Sequence, residues 1–281
     1  MTKTSQPLMK NRIVKKLATF AAGMLVSATA FASGGGNLMQ AGTDLGDRAS
    51  LQRGAQLYMN YCSGCHSLKY LRYSRIAEDL GLTEDEVMTN LNFTGAKFGE
   101  QIQVSLTPEH ANQWFGKMPP DLSVIARVRG SDWIYTYLKS FYLDEARPLG
   151  WNNALFPNAS MPNPLWQMQG TQTPKFTDKE PAHGLFGEKK DDKGKPIMEC
   201  PHGTSEIDGK CFTKFEAGSP GTLEPEQFNQ SVRDITAFLE YAGEPAALKR
   251  ESLGVWVILF LAVFTFLAYL LKSEYWRDVE H

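Results

Sequence analysis

Cysteine is scarce in this chain, with four in 281 residues. Two of them stand at positions 62 and 65, beside His66, and no further pair of ligands lies at short spacing around them. That argues against a four-ligand zinc site. No segment recurs at a fixed period, which excludes a solenoid. Strictly alternating apolar and polar runs are thin, so a fold built on sheets is not expected. Basic charge is also in short supply once the first residues are set aside. Residues 33–252 carry 22 basic and 28 acidic groups, a net charge of −6. Such a surface repels nucleic acid and attracts a basic partner.

The two ends of the chain are not globular in character. In residues 1–32, Lys3, Lys10, Arg12, Lys15 and Lys16 form a basic start with no acid among them. An apolar stretch over 17–30 follows, too short to span a bilayer, and then the small-x-small site Ala30-Phe31-Ala32. This is the pattern of a cleaved secretory signal, with Ser33 as the first mature residue. At the other end, residues 253–271 contain no charged group. As a helix they reach about 28 Å, enough to cross a membrane. Trp256 and Tyr269 lie near the ends of this run, where amphipathic rings favour the interface. The expected organisation is a signal over 1–32, an exported domain over 33–252, one span over 253–271 and a cytoplasmic tail over 272–281. In a bacterium this places the domain in the periplasm, anchored to the inner membrane.

The exported domain holds one run with specific chemistry, Cys62-Ser63-Gly64-Cys65-His66. A bare Cys-x-x-Cys suits zinc, a redox disulfide or haem, and the adjoining histidine selects haem. Two thiols add across the vinyl groups of a c-type haem, and the histidine becomes an axial iron ligand. On a helix the spacing i, i+3, i+4 puts all three side chains on one face, so one turn grips porphyrin edge and iron together.

Around this run the spacing of apolar residues predicts helices over 50–61, 132–142 and 226–241. Residues 83–86 read Thr-Glu-Asp-Glu, a capping box that opens another helix. Residues 92–122 read mostly as loop. Residues 147–222 hold most of the prolines and little periodicity, with a charged, turn-prone insertion at 188–195. The expected fold is mainly α, a small cytochrome c-like haem domain with long loops tied to one C-terminal membrane helix. Cys200 and Cys211 remain after haem attachment. In an exported, oxidising setting they suit a disulfide, worth about 3 kcal/mol in the chain-entropy picture. Two free thiols, or a metal pair with His202, are the alternatives.

The second axial ligand is open on residue types alone. A thioether raises the reduction potential, a second imidazole lowers it, and an empty site suits gas binding. The sulfurs available are Met88, Met118, Met161, Met168 and Met198; the imidazoles are His110, His183, His202 and His281. Met118 and Met161 each precede a proline, which stiffens the backbone that presents the sulfur.

Four motifs occur in order along the chain. They are the haem box at 62–67; Pro119-Pro120-Asp121-Leu122-Ser123 with Arg127 and Arg129 after it; Asn153 to Pro162, containing Phe156-Pro157 and Met161; and Ala242-Gly243-Glu244-Pro245 before the final span. In this the chain resembles the cytochrome c1 family, the haem subunits of quinol–cytochrome c oxidoreductase. The resemblance implies one covalent haem c, linked through Cys62 and Cys65, with His66 and Met161 as axial ligands. It further implies that Arg129 pairs with a haem propionate and that Pro119 and Pro120 pack on the haem. The implied role is one-electron transfer from a Rieske iron–sulfur protein to a soluble or tethered cytochrome c, beside a cytochrome b subunit in a dimeric membrane complex. Trp133 stands where family members often carry tyrosine, and Trp114-Phe115 are bulkier than the residues usual before the double proline.

Overall fold

The computed structural model describes residues 38–184, 187–201, 204–207 and 209–277. The signal expected over 1–32, residues 278–281 of the tail, His202 and His281 lie outside the described residues. So does the side chain of His183.

The described chain is mainly helical. Its first helix, α1 (Arg48–Tyr61), is opened by the Asp47 carboxylate, which accepts the Ser50 amide. Strand β1 (Leu68–Arg72) pairs with β2 (Gln101–Ile102), and between them lie α2 (Tyr73–Leu80) and α3 (Glu84–Asn90). The expected capping box on α3 is present, with Thr83 and Glu86 bonded reciprocally. Next come α4 (Pro108–Phe115), α5 (Ile125–Arg129) and α6 (Ser131–Lys139). The hairpin β3 (Phe141–Leu143) and β4 (Trp151–Asn153) follows, then the single turn α7 (Trp166–Gln169). A long strand, β5 (Gly170–Thr177), leads into four two-residue strands. These are β6 (Glu180–Pro181), β7 (His183–Gly184), β8 (Gly187–Glu188) and β9 (Met198–Glu199). Strands β10 (Ser205–Ile207) and β11 (Lys210–Pro220) join β5 in an antiparallel sheet of order β10-β11-β5. Two helices close the chain, α8 (Pro225–Gly243) and α9 (Ala247–Tyr275).

The core forms where α1 crosses α8. Leu51, Ala55 and Tyr58 from α1 and Val232, Ile235 and Phe238 from α8 are all buried in one apolar cluster. Tyr58 and Phe238 meet with ring centroids 5.6 Å apart. The approach is close because residue 54 is glycine. A Cβ there would lie 2.0 Å from the Asp234 carbonyl oxygen and 2.8 Å from the Phe238 Cβ. One charge is locked into the same crossing. Asp234, 2% exposed, accepts from Ser50 Oγ at 2.6 Å, Arg53 Nε at 2.7 Å and Gln230 Nε2 at 2.8 Å. A buried carboxylate is tolerable only when its oxygens are bonded in this way.

The structure departs from the sequence expectation in several places. Residues 108–115 form α4 rather than loop; Thr107 caps it through the His110 amide, and Gly116 ends it at φ +74. The helix expected over 132–142 stops at Lys139, and Phe141 to Leu143 turn into β3. The stretch 147–222 is not structureless, since β5, β10 and β11 make a sheet. Their burial patterns show no alternation because most of β5 and β11 is exposed on both faces. A strand without a buried face leaves no period-two signal in the sequence. At the C-terminus one apolar span, Leu253–Tyr275, is long enough to cross a membrane, four residues longer than the uncharged run.

Gly54→Ala should therefore lower unfolding stability by about 1–3 kcal/mol, the usual cost of overpacking a core. The neighbours are backbone and cannot swing aside. A denaturant midpoint equal to that of the parent protein would show that the two helices can separate freely.

Candidate haem site

Helix α1 delivers the cysteine–histidine run to its place. The helix stops at Tyr61, and Cys62 is its C-terminal cap at φ −118 and ψ −38. The run is a turn directly after the helix rather than a further helical turn. The Cys65 and His66 amides both donate to the Cys62 carbonyl, at 3.1 and 2.9 Å, so the His66 bond keeps helical spacing. Both thiols are free. Burial pushes the Cys62 thiol up to about 12 and raises Cys65 as well. Among the described residues no three His, Cys, Asp or Glu side chains cluster as a metal site.

His66 is 7% exposed. Its Nδ1 lies 2.7 Å from the Pro120 carbonyl oxygen. A carbonyl only accepts, so Nδ1 carries the proton and the Nε2 lone pair is left for a metal. Burial lowers the imidazole's affinity for a second proton, while the Pro120 bond and Asp121 oppose that less strongly. The ring is thus neutral, as an iron ligand must be. The backbone of His66 is held too, because the Tyr58 hydroxyl donates to its carbonyl at 2.8 Å.

The double-proline motif runs alongside this turn. Leu122 donates its amide to the Ser67 carbonyl at 2.9 Å. Asp121 accepts the Lys69 amide at 2.9 Å, and Ser123 Oγ accepts the Tyr70 amide at 3.1 Å. Asp121 also accepts the Ser123 amide at 2.9 Å. The segment is zipped along residues 66–70, and its purpose is visible in the Pro120–His66 bond. Pro120 itself is exposed and Pro119 half-buried.

A second group of residues surrounds Met161. Its sulfur is 3.6 Å from the Tyr137 hydroxyl. Tyr137 stacks on Trp133 at 4.9 Å and 9°, and meets Phe141 edge-on at 5.0 Å. Burial pushes the Tyr137 phenol up to about 12, so it remains a hydrogen-bond donor at neutral pH. The loop to Met161 is set by two fully buried asparagines. Asn153 Oδ1 accepts the Leu155 and Phe156 amides at 2.9 and 3.0 Å, and its Nδ2 donates to the Tyr137 carbonyl at 2.8 Å. Asn152 Oδ1 accepts the Asn153 and Asn158 amides at 2.9 and 2.8 Å. Asn158 has a φ of +64, a conformation that asparagine adopts readily. Arg129 lies across two rings, its guanidinium carbon 5.0 Å from the Trp133 centroid and 5.9 Å from that of Phe156. Met118 is exposed, whereas Met161 is half-buried. Cys200 and Cys211 are joined in the structure, with Cα atoms 5.3 Å apart.

A profile described as the cytochrome C1 family matches residues 40–182 and 217–279. The chain belongs to the cytochrome c1 family. A cytochrome c1 from Allochromatium vinosum is 48% identical over 265 residues, covering 94% of this chain and 98% of that protein. A Nitrosomonas europaea protein named ammonia monooxygenase gamma subunit is 38% identical, covering 86% of this chain and 88% of its own length. A cytochrome c1 from Rhodospirillum rubrum is 28% identical, with 84% of each chain covered. The family match passes over 183–216, the stretch that holds both bridged cysteines.

Members of the cytochrome c1 family carry a covalently attached c-type haem, and the residues here fit one. Two free thiols flank a turn, and beside them a buried imidazole has only one nitrogen committed. Sequence patterns pointed to those three residues and to Met161. They gave no sign of the hydrogen bonds that Tyr58, Ser67, Asn152, Asn153 and Tyr137 make, because those bonds depend on the folded geometry rather than on residue type or spacing.

Asn153→Ala should cost about 2–4 kcal/mol, since it strands the Leu155 and Phe156 amides and unties the loop from Tyr137. Equal denaturation curves for variant and parent would show that water replaces the asparagine without cost.

Proposed function

We propose that this protein is the membrane-anchored monohaem cytochrome of a quinol–cytochrome c oxidoreductase. It takes electrons from the Rieske iron–sulfur protein and passes them to a cytochrome c. The observation that carries this reading is the thiol–imidazole turn with His66 fixed by Pro120, in a chain of the cytochrome c1 family. When bound, the haem supplies a one-electron couple whose potential depends on axial ligands and burial. The chain's own part is to position and to shield. Cys62 and Cys65 hold the porphyrin edge. His66 Nε2 and the Met161 sulfur would be the two groups that hold the iron. Arg129, held flat by Trp133 and Phe156, offers its planar fork to a propionate. Pro119 and Pro120 border the His66 side. No bond is made or broken in a substrate.

The apolar length of α9 supports anchoring in lipid, with cytochrome b and the Rieske protein as neighbours in a dimeric complex. A cleaved signal over 1–32 puts the haem domain in the periplasm and the tail after the span in the cytoplasm. The bridge between Cys200 and Cys211 suits that oxidising side of the membrane.

Met161 is assigned over Met118 because its loop is pinned by buried asparagines, while Met118 stands exposed. Met161→Leu should abolish the weak long-wavelength iron–sulfur absorption band and lower the reduction potential, with covalent haem retained. Met118→Leu should leave both unchanged. The reverse pattern would move the assignment to Met118.

The acidic domain, net −6 over residues 33–252, is read as steering a basic acceptor. Glu84, Asp85 and Glu86 are candidates for this surface, although Glu86 is already engaged in capping α3. The bimolecular electron-transfer rate should fall steeply as salt rises, because screening shortens to about 10 Å at 0.1 M. A rate flat with ionic strength would remove electrostatic steering.

A further inference from the structure

Met161 has a polar neighbour that a core methionine does not need. A thioether sulfur carries two lone pairs. Iron would use one, and the other can accept a weak hydrogen bond. The Tyr137 hydroxyl stands 3.6 Å from that sulfur, within range for a bond to sulfur. Its aim is not accidental. The ring is held between Trp133, stacked at 4.9 Å, and Phe141, edge-on at 5.0 Å, so it has little freedom to turn away. The same residue grips the Met161 loop a second time, through its own carbonyl and Asn153 Nδ2 at 2.8 Å. Two contacts from one residue fix both the position of the loop and the direction of the hydroxyl.

From this geometry we infer that Tyr137 is a positioning and tuning residue for the haem iron, acting through a hydrogen bond to the Met161 sulfur. The inference rests on the reading of Met161 as axial ligand. A proton donated to the sulfur draws electron density from it. The sulfur then donates less to the iron, which disfavours the ferric state more than the ferrous one. The bond therefore raises the reduction potential.

The test uses the full-length, haem-loaded protein in detergent. Tyr137→Phe keeps the ring and its stacking and removes only the hydroxyl. The equilibrium constant for reduction against a reference couple should fall by about two- to tenfold, the size of one net hydrogen bond. The iron–sulfur band should shift but persist. Site-specific replacement of Tyr137 by 3-fluorotyrosine gives a stronger donor of nearly the same shape and should move the constant the opposite way. It tests the idea even if the phenylalanine variant fails to mature. A purely structural tyrosine would move neither the potential nor the band in the fluorinated protein, and that outcome overturns the inference. Met161→Leu, measured in parallel, separates the two levels. If the band survives in that variant, the ligand assignment has failed. If it is lost while both Tyr137 variants match the parent potential, only the role of Tyr137 has failed.

Discussion

Everything near the haem-attachment turn depends on how closely α1 can approach α8. Gly54 removes the side chain that would hold the helices apart, the Asp234 carbonyl and the Phe238 Cβ take its space, and the Asp234 carboxylate bonds Ser50 and Arg53 beside it. Because α1 ends one residue before Cys62, its axis aims the whole cysteine–histidine turn. Tyr58, buried against Phe238 in the same crossing, then fixes the His66 carbonyl. A single packing contact is thus converted into the orientation of His66, the proposed ligand. Apolar burial supplies the energy, while the hydrogen bonds of Asp234 and Tyr58 supply direction.

The surroundings of Met161, the proposed second ligand, are built by different means. Around Met161 there is no long helix to aim the backbone, and the loop is shaped by buried amide side chains instead. Asn152 and Asn153 satisfy amides that no strand or helix claims. Buried backbone groups must be paired, so two asparagines do here what a ladder of main-chain bonds does elsewhere.

The sequence exposes these two halves unequally. Helices α1, α3 and α8 were readable because each has a buried face or a capping signal that repeats at helical spacing. The haem run was readable because its chemistry demands adjacency. Helix α4 carried legible signals, Thr107-Pro108 at its start and Gly116 at its end, but has only one buried residue, Ala111, to mark a face. The sheet of β5, β10 and β11 was hidden for a related reason. Most of β5 and β11 is exposed, with Ile207 and Cys211 among the few buried side chains, and burial is what writes periodicity into a sequence. The partners of His66 and Met161 were invisible because they are matters of distance across the fold. Pro120 stands in a motif that the resemblance sets beside the haem, but nothing local shows that its carbonyl accepts from a ring 54 positions away.

The tie between Tyr58 and His66 closes over only eight residues, and the helical bond from His66 to Cys62 over four. Met161 is reached through contacts to Tyr137 that span 16 and 24 residues. The attachment turn therefore draws part of its shape from bonds within its own stretch of chain, whereas the Met161 loop depends on contacts made further along it.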